Sequence, residues 1–307
     1  MDSESKIFVA GHNGLVGSAI VRNLEAKGFT NIITMDRAKL DLTKLHDVQI
    51  FFAVEQPEYV FLAAAKVGGI GANAEYPADF IYENLMIQTN VIHGAYKANI
   101  NNIIFLGSSC IYPKKTKQPI KESFFMTGPL ENTNDAYAIA KITGVKMCME
   151  YSKQYKLNYK TLMPANMFGA NDNYDLSSSH FFPALIRKIH NAKIRKKKFI
   201  TLWGNGKPKR ELLYVEDFAD ACVFFMQKKT KESFVNIGSG VEKTIKGFAQ
   251  YIMKRLNVNL KIKYDLTKPN GMQRKKLDLS ISKKYGWKSK TNLDEAFEKV
   301  YLDYLKN

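Results

Sequence analysis

Tyr137-Ala-Ile-Ala-Lys141 sets a phenol and an amine four residues apart, one turn along the same face of a helix. A neighbouring ammonium lowers a phenol's pKa, so Tyr137 is suited to protonate the alkoxide formed when hydride reaches a carbonyl carbon. Lys141 is also placed to hold the ribose of a nicotinamide cofactor. Spacing alone is weak evidence, since 16 Tyr and 39 Lys in 307 residues give about two such pairs by chance. Tyr264-Asp-Leu-Thr-Lys268 repeats the spacing without the surroundings. What sets Tyr137 apart is Gly107-Ser108-Ser109-Cys110 upstream, at the carboxyl end of an apolar run, where catalytic side chains of open α/β sheets gather. A serine hydroxyl there can bond a substrate carbonyl and turn it toward Tyr137, with Ser108 preferred over Ser109.

Cys110 stands beside that serine. Free cysteines are usually small hydrophobes, which is the reading for Cys148 and Cys222, but the place of Cys110 marks it for chemistry. His180 closes a polar stretch, a position as often structural as catalytic. As a pair, a thiol and an imidazole can supply base and acid for moving protons on carbons next to a ketone. His12, His46, His93 and His190 show no metal-ligand spacing, so no metal is assigned.

These groups need a cofactor and a frame. Gly11-His12-Asn13-Gly14-Leu15-Val16-Gly17 follows the first strand-like run and opens an amphipathic helix. Glycines there permit a tight turn and close backbone approach to a pyrophosphate, which meets the free N–H groups of the helix. Asp36 lies 19 residues beyond Gly17, where a carboxylate accepts the ribose hydroxyls of NAD. Arg37 follows it and can instead hold the 2′-phosphate of NADP.

The frame is an alternation of periods. Short apolar runs at Lys6 to Ala10, Ile32 to Met35, Tyr59 to Ala63, Ile103 to Leu106 and Tyr159 to Met163 read as buried parallel strands. Helical spacing separates them, as in Leu15 to Lys27 and Asp79 to Ala98. A Rossmann-type doubly wound α/β sheet follows. Asn166 to His180 is rich in Asn, Asp, Ser and Gly, and is expected to be one long functional loop. Later come a helix from Pro183, strands near Phe199 to Trp203 and Glu211 to Tyr214, a helix from Val215, a strand at Phe234 to Ile237, and helices at Ile245 to Leu256 and Leu293 to Leu305. The expected division is a dinucleotide-binding part of residues 1–166 and 213–240, and a smaller, discontinuous α/β substrate lobe of residues 167–212 and 241–307.

Composition narrows the class. At 34.9 kDa, with 45% hydrophobic and 24% charged residues and no apolar run of membrane-spanning length, the chain reads as globular, not fibrous, disordered or membrane-spanning. The net charge of +17 is carried mostly by Lys in scattered clusters, the densest being Arg195 to Lys198, and aromatics do not recur as a base-stacking platform. Solvated surface charge and small phosphorylated ligands are expected, and no nucleic acid. Three cysteines without a CxxC pair fit a reducing compartment, and the start MDSESKIFVA carries no leader signature, so the expected location is the cytoplasm.

Taken together, the runs Gly11 to Gly17, Leu62-Ala-Ala-Ala-Lys-Val-Gly-Gly-Ile70, Tyr76-Pro-Ala-Asp-Phe80, Gly107-Ser-Ser-Cys-Ile-Tyr-Pro113, Tyr137 to Lys141, Ser179-His180 and Trp203-Gly-Asn-Gly-Lys-Pro-Lys-Arg210 carry a resemblance over essentially the whole chain. The sequence is similar to the extended short-chain dehydrogenase/reductases, in their GDP-L-fucose synthase branch. The resemblance implies reduction at C4 of a GDP-4-keto-sugar by a nicotinamide hydride, preceded by epimerisation at C3 and C5 in the same pocket. It implies reduction by Ser108, Tyr137 and Lys141, with Cys110 as base and His180 as acid for epimerisation. Leu106, Pro164, Asn166 and Met167 would join the glycine loop on the cofactor, and Lys188, Trp203, Arg210 and Asn270 would meet the GDP-sugar. NADP(H) is favoured, with NAD(H) kept open because Asn13 and Asp36 depart from the family pattern. Ala165, Lys188 and Asn270 depart from it around the sugar, which keeps open a reductase acting without epimerisation on a GDP-4-keto-heptose or other variant sugar. A homodimer through the helical segments 79–98 and 135–155 is also expected.

Overall fold

The computed structural model describes residues 1–306. Its first half runs β1 (Ile7–Ala10), α1 (Leu15–Ala26), β2 (Ile32–Ile33), α2 (Leu45–Glu55), β3 (Tyr59–Leu62), α3 (Ile70–Glu75), α4 (Pro77–Lys97), β4 (Asn102–Leu106), α5 (Asp135–Tyr155) and β5 (Asn158–Pro164). The second half runs β6 (Asn166–Phe168), α6 (Phe181–Ile194), β7 (Phe199–Trp203), β8 (Lys209–Tyr214), α7 (Val215–Gln227), β9 (Phe234–Ile237), β10 (Glu242–Thr244), α8 (Ile245–Arg255), β11 (Lys261–Asp265), β12 (Arg274–Lys275), α9 (Ser280–Lys284) and α10 (Leu293–Lys306).

Six parallel strands form the main sheet in the order β2-β1-β3-β4-β5-β9. Apolar residues are continuous along β1, β3 and β4 because helices cover both faces: α4 packs on α2 and α5 in one layer, and α1 packs on α7 in the other. This is the expected doubly wound sheet, and the order reverses between β1 and β3, where such sheets open a crevice at their carboxyl ends. Phe8, Phe52, Phe61 and Phe105 are buried in its core.

A second core gathers Phe168, Phe182, Ile189, Leu212, Phe248 and Phe297 around β8, which pairs with β6, β10 and β12, while β7 pairs with β11. Glu211 on β8 is fully buried, and its carboxylate accepts the N–H groups of Gly240 at 2.7 Å and Leu277 at 2.9 Å. Those bonds tie the chain crossings between the two cores.

The structure corrects two expectations. Asn166 to Phe168 is not loop but a strand, pairing in parallel with Leu212 to Tyr214, because Phe168 packs its ring into the second core while Asn166 faces the crevice. The loop proper begins at Gly169. The second strand stops at Ile33, short of Met35, since only Ile32 and Ile33 find partners on β1. Among the described residues no helix is long and apolar enough to cross a membrane.

Candidate active site

A cavity of about 870 Å³ opens at the carboxyl ends of β1, β3, β4 and β5, with walls from both cores. Its size is that of a ligand site. At one end β1 runs into the glycine loop. Gly11 has φ +85°, and a Cβ there would sit 2.6 Å from the Ala64 backbone nitrogen. A Cβ on Gly17 would collide with the Gly11 carbonyl oxygen, so only glycine lets α1 close down on the turn. The Gly14 N–H closes that turn on the Gly11 oxygen at 3.1 Å. The first N–H groups of α1 have no carbonyl one turn back, no side chain caps them, and Gly14 to Gly17 line the cavity. A pyrophosphate fits there.

Asp36 and Arg37 both reach the cavity rim. Asn13 Nδ2 donates to Asp36 Oδ1 at 2.7 Å, with His12 Nε2 at 3.5 Å. Arg37 is 71% exposed on its side chain and touches Glu83 at 3.4 Å, so most of its donors remain free for a phosphate. Carboxylate and guanidinium therefore coexist where an adenosine ribose would lie.

At the other end, Ser108 lines the cavity together with Tyr137, and it caps the short turn Ser109–Ile111 by accepting the Cys110 N–H at 3.2 Å. No such contact involves the Ser109 hydroxyl. Tyr137 comes from the first turn of α5 and meets Phe80 edge-on at 6.3 Å. Lys141, one turn later, lies 5.9 Å from the Tyr137 ring centre, but its Nζ donates to the Leu106 carbonyl at 2.9 Å and sits over Phe105. Of the residues expected at the site, Leu106 and Lys141 alone lie behind the cavity wall; the others line it.

The expected electrostatics are reversed. Burial lowers Lys141 to about 7, which weakens the charge that was to acidify the phenol. Burial first, and then the charge on Cys110, push the Tyr137 phenol well above its ordinary value, against the Ser108 hydrogen bond. Tyr137 is thereby held protonated, the state of a proton donor.

Cys110 faces Ser108 and Tyr137 across the same turn. Burial works to raise its thiol, but Lys275's charge and hydrogen bonds from Ser108, Lys275 and Asn134 more than offset it and bring the thiol below its ordinary value. The Sγ lies 3.4 Å from Lys275 Nζ and 3.1 Å from Asn134 Nδ2. His180 is placed by backbone contact: Gly69 N–H bonds the Ser178 oxygen at 2.8 Å, and a Cβ on Gly69 would sit 2.5 Å from the Ser179 oxygen. Only glycine lets the loop that carries His180 approach α3 so closely. Burial, then the charge of Lys275, lowers the His180 imidazole.

Cations crowd the far wall. Lys188 Nζ donates to the Thr201 oxygen at 3.1 Å and stands 5.8 Å from the Trp203 ring, with Lys268 at 5.3 Å. Arg210 is buried on β8, donating to the Met272 oxygen at 2.7 Å. Asn270 Oδ1 accepts the Asn205 N–H at 2.9 Å, pinning the turn beside Trp203. The second Tyr-to-Lys spacing dissolves here: Tyr264 lies on β11 and Lys268 beyond its end, so they share no helix face.

The sequence reading missed Lys275, Asn134 and Glu131. Lys275 was visible only as one charge in Arg274 to Lys276; pairing of β12 with β8 sets it opposite Arg210. Among the described residues no group of three His, Cys, Asp or Glu is arranged to hold a metal ion.

Residues 7–238 match the NAD dependent epimerase/dehydratase family. The chain is 50% identical over 306 residues to GDP-L-fucose synthase 1 of Arabidopsis thaliana, covering 100% of this chain and 95% of that protein. It is 43% identical over 314 residues to GDP-L-fucose synthase of Escherichia coli strain K12, covering 99% of this chain and 98% of that protein. Among solved structures, the GDP-mannoheptose C4 reductase from Campylobacter jejuni with NADP bound matches with a TM-score of 0.90 at 36% identity, over 99% of each chain. With most of its length matched, and with relatives this similar from end to end, the chain belongs to the NAD dependent epimerase/dehydratase family.

Proposed function

We propose that the chain reduces C4 of a GDP-4-keto-sugar with a nicotinamide hydride after epimerising C3 and C5 in the same cavity, making GDP-L-fucose or a close analogue. The observation that carries the reading is one cavity lined together by Ser108, Tyr137, Cys110 and His180, with the Cys110 N–H bonded to the Ser108 hydroxyl. Epimerisation and reduction both put negative charge on the C4 oxygen. Ser108 and Tyr137 hold that oxygen in both stages. Cys110 removes the proton from carbon as base, and His180 returns one as acid from the opposite face. When bound, NADPH supplies the hydride to C4. Tyr137 then gives its proton to the alkoxide, and Ser108 keeps the oxygen directed at the phenol. Lys141 supports the phenol from behind the wall.

NADP(H) is the favoured cofactor, supported by the free donors of Arg37 and by the NADP-bound solved relative; NAD(H) stays open through Asp36. Lys188, Trp203, Arg210 and Asn270 take the GDP-sugar. Residues 1–166 and 213–240 bind the dinucleotide while 167–212 and 241–307 close over the sugar, a division supported by the two hydrophobic cores, although Leu277 and Trp287 pack in the first. The enzyme works in the cytoplasm as a homodimer through α4 and α5, which leave Tyr82 and Ile139 exposed, and its dispersed charge serves no nucleic acid. Reduction without epimerisation on a GDP-4-keto-heptose is the second reading, favoured by the solved heptose reductase and opposed by the activated Cys110.

The test is GDP-4-keto-6-deoxymannose supplied with NADPH or NADH, followed by nicotinamide absorbance. Oxidation of the cofactor supports the reading. No turnover with this sugar or with any GDP-4-keto-hexose or heptose rejects it.

A further inference from the structure

The sulfur of Cys110 is met by donors alone. Lys275 Nζ lies at 3.4 Å and Asn134 Nδ2 at 3.1 Å. A neutral thiol is a weak acceptor and needs a partner for its own S–H, whereas a thiolate takes charge-assisted bonds from donors such as these. Lys275 also differs from the arginine beside it. Neighbouring Arg274 points the other way along β12, pairing with Glu242 at 2.7 and 2.8 Å. Among the described residues Lys275 has no carboxylate within ion-pair distance; the side chain it bonds is Cys110.

We propose that Lys275 is the positioning residue that holds Cys110 as a thiolate, ready to act as the base of the epimerisation stage. This rests on the epimerising reading above. The thiolate takes a proton from C3 or C5, the S–H bond forming as the C–H bond breaks, and the released electron pair moves to the C4 oxygen held by Ser108 and Tyr137. Lys275 touches no carbon of the sugar and acts through the sulfur. Placing it here explains why the short strand β12 is brought beside β8, since that pairing sets Lys275 opposite Arg210 and over the sulfur.

Other groups face the same sulfur. Arg210 on β8 shares a Coulombic interaction with Cys110 and with Glu131, and Glu131 is held by Lys114 at 3.2 Å. Tyr137 on α5 stays protonated, and the imidazole of His180, before α6, is lowered by burial and then by the charge of Lys275. Lys275 is the cation in direct contact.

The test reads the thiol itself and needs no sugar or cofactor, so it stands apart from a failure of the functional reading. Alkylation of Cys110 by iodoacetamide is followed across pH by peptide mass spectrometry, which separates it from Cys148 and Cys222 in the core. Wild type is expected to titrate below the ordinary thiol value of about 8.5. Lys275→Met is expected to raise the midpoint by about one pH unit, a tenfold loss of rate at low pH, and Lys275→Arg to restore it. An unmoved midpoint in folded Lys275→Met overturns the proposal. So does a wild-type midpoint at or above the ordinary value, which decides the matter if the methionine variant does not fold.

Discussion

At the scale of single residues, Tyr137 keeps the proton-donor role its spacing suggests, but burial and not the charge of Lys141 sets its phenol. Lys141 is buried and turned onto the Leu106 carbonyl, and Tyr137 is held protonated by burial. Tyr137→Phe removes the proton donor while keeping the ring against Phe80, and is expected to lower the reduction rate by about 10²–10⁴-fold with an unchanged melting curve, read by single-turnover nicotinamide absorbance. Burial also makes Lys141 a pH-dependent load on the fold. Its folded value of about 7 lies below its ordinary 10.5, so the unfolded chain binds more protons between those values and stability rises with pH across that window. Lys141→Met is expected to melt higher than the parent at neutral pH, with the difference shrinking as pH approaches 10.5; a constant difference would count against a buried amine lowered to about 7. Lys160, lowered to about 8 by burial, gives the parent a residual slope in the same direction. Tyr137, Ser108 and Cys110 were legible because each stands at a fixed offset from a recognisable strand end or helix face. Their charges were not, because burial depends on Phe105 and Phe80 from other elements.

At the scale of elements, the join between β1 and α1 decides whether a dinucleotide can bind. The Gly17→Ala methyl would meet the Gly11 carbonyl, and backbone there cannot yield without opening the turn. Overpacking of this kind costs about 1–3 kcal/mol. The expected outcome is at least a tenfold weaker NADPH affinity, about 1.4 kcal/mol, measured by nicotinamide fluorescence. Unaltered binding would show that the helix N-terminus does not cradle the pyrophosphate. The βαβ rhythm was legible because strands buried on both faces are apolar without interruption. Elements beyond it were hidden: β6 begins a polar stretch that reads as loop, α3 is masked by the glycines of Gly68 to Gly71, and β12 has two residues whose only signal is charge. Lys275 was missed for that reason, since its position depends on a pairing 65 residues away in sequence, with Arg210.

At the scale of the whole molecule, one cavity is shared by two cores, and its chemistry is divided accordingly. The main sheet supplies the glycine loop, Ser108, Cys110 and Tyr137, while the β8 assembly supplies Arg210 and Lys275. Glu211 fastens the two through Gly240 and Leu277. Cations of the net +17 charge that reach the cavity include Lys188 and Arg210, which in the proposed reading answer the diphosphate of a GDP-sugar. In the proposed reading, base, acid and reducing wall act on one sugar in one place. Its most direct test is the NMR spectrum of the product made from GDP-4-keto-6-deoxymannose and NADPH in heavy water. The predicted product carries deuterium at C3 and C5 with both centres inverted and C4 reduced. A C4-reduced product with protium at C3 and C5 and the starting configuration would contradict it.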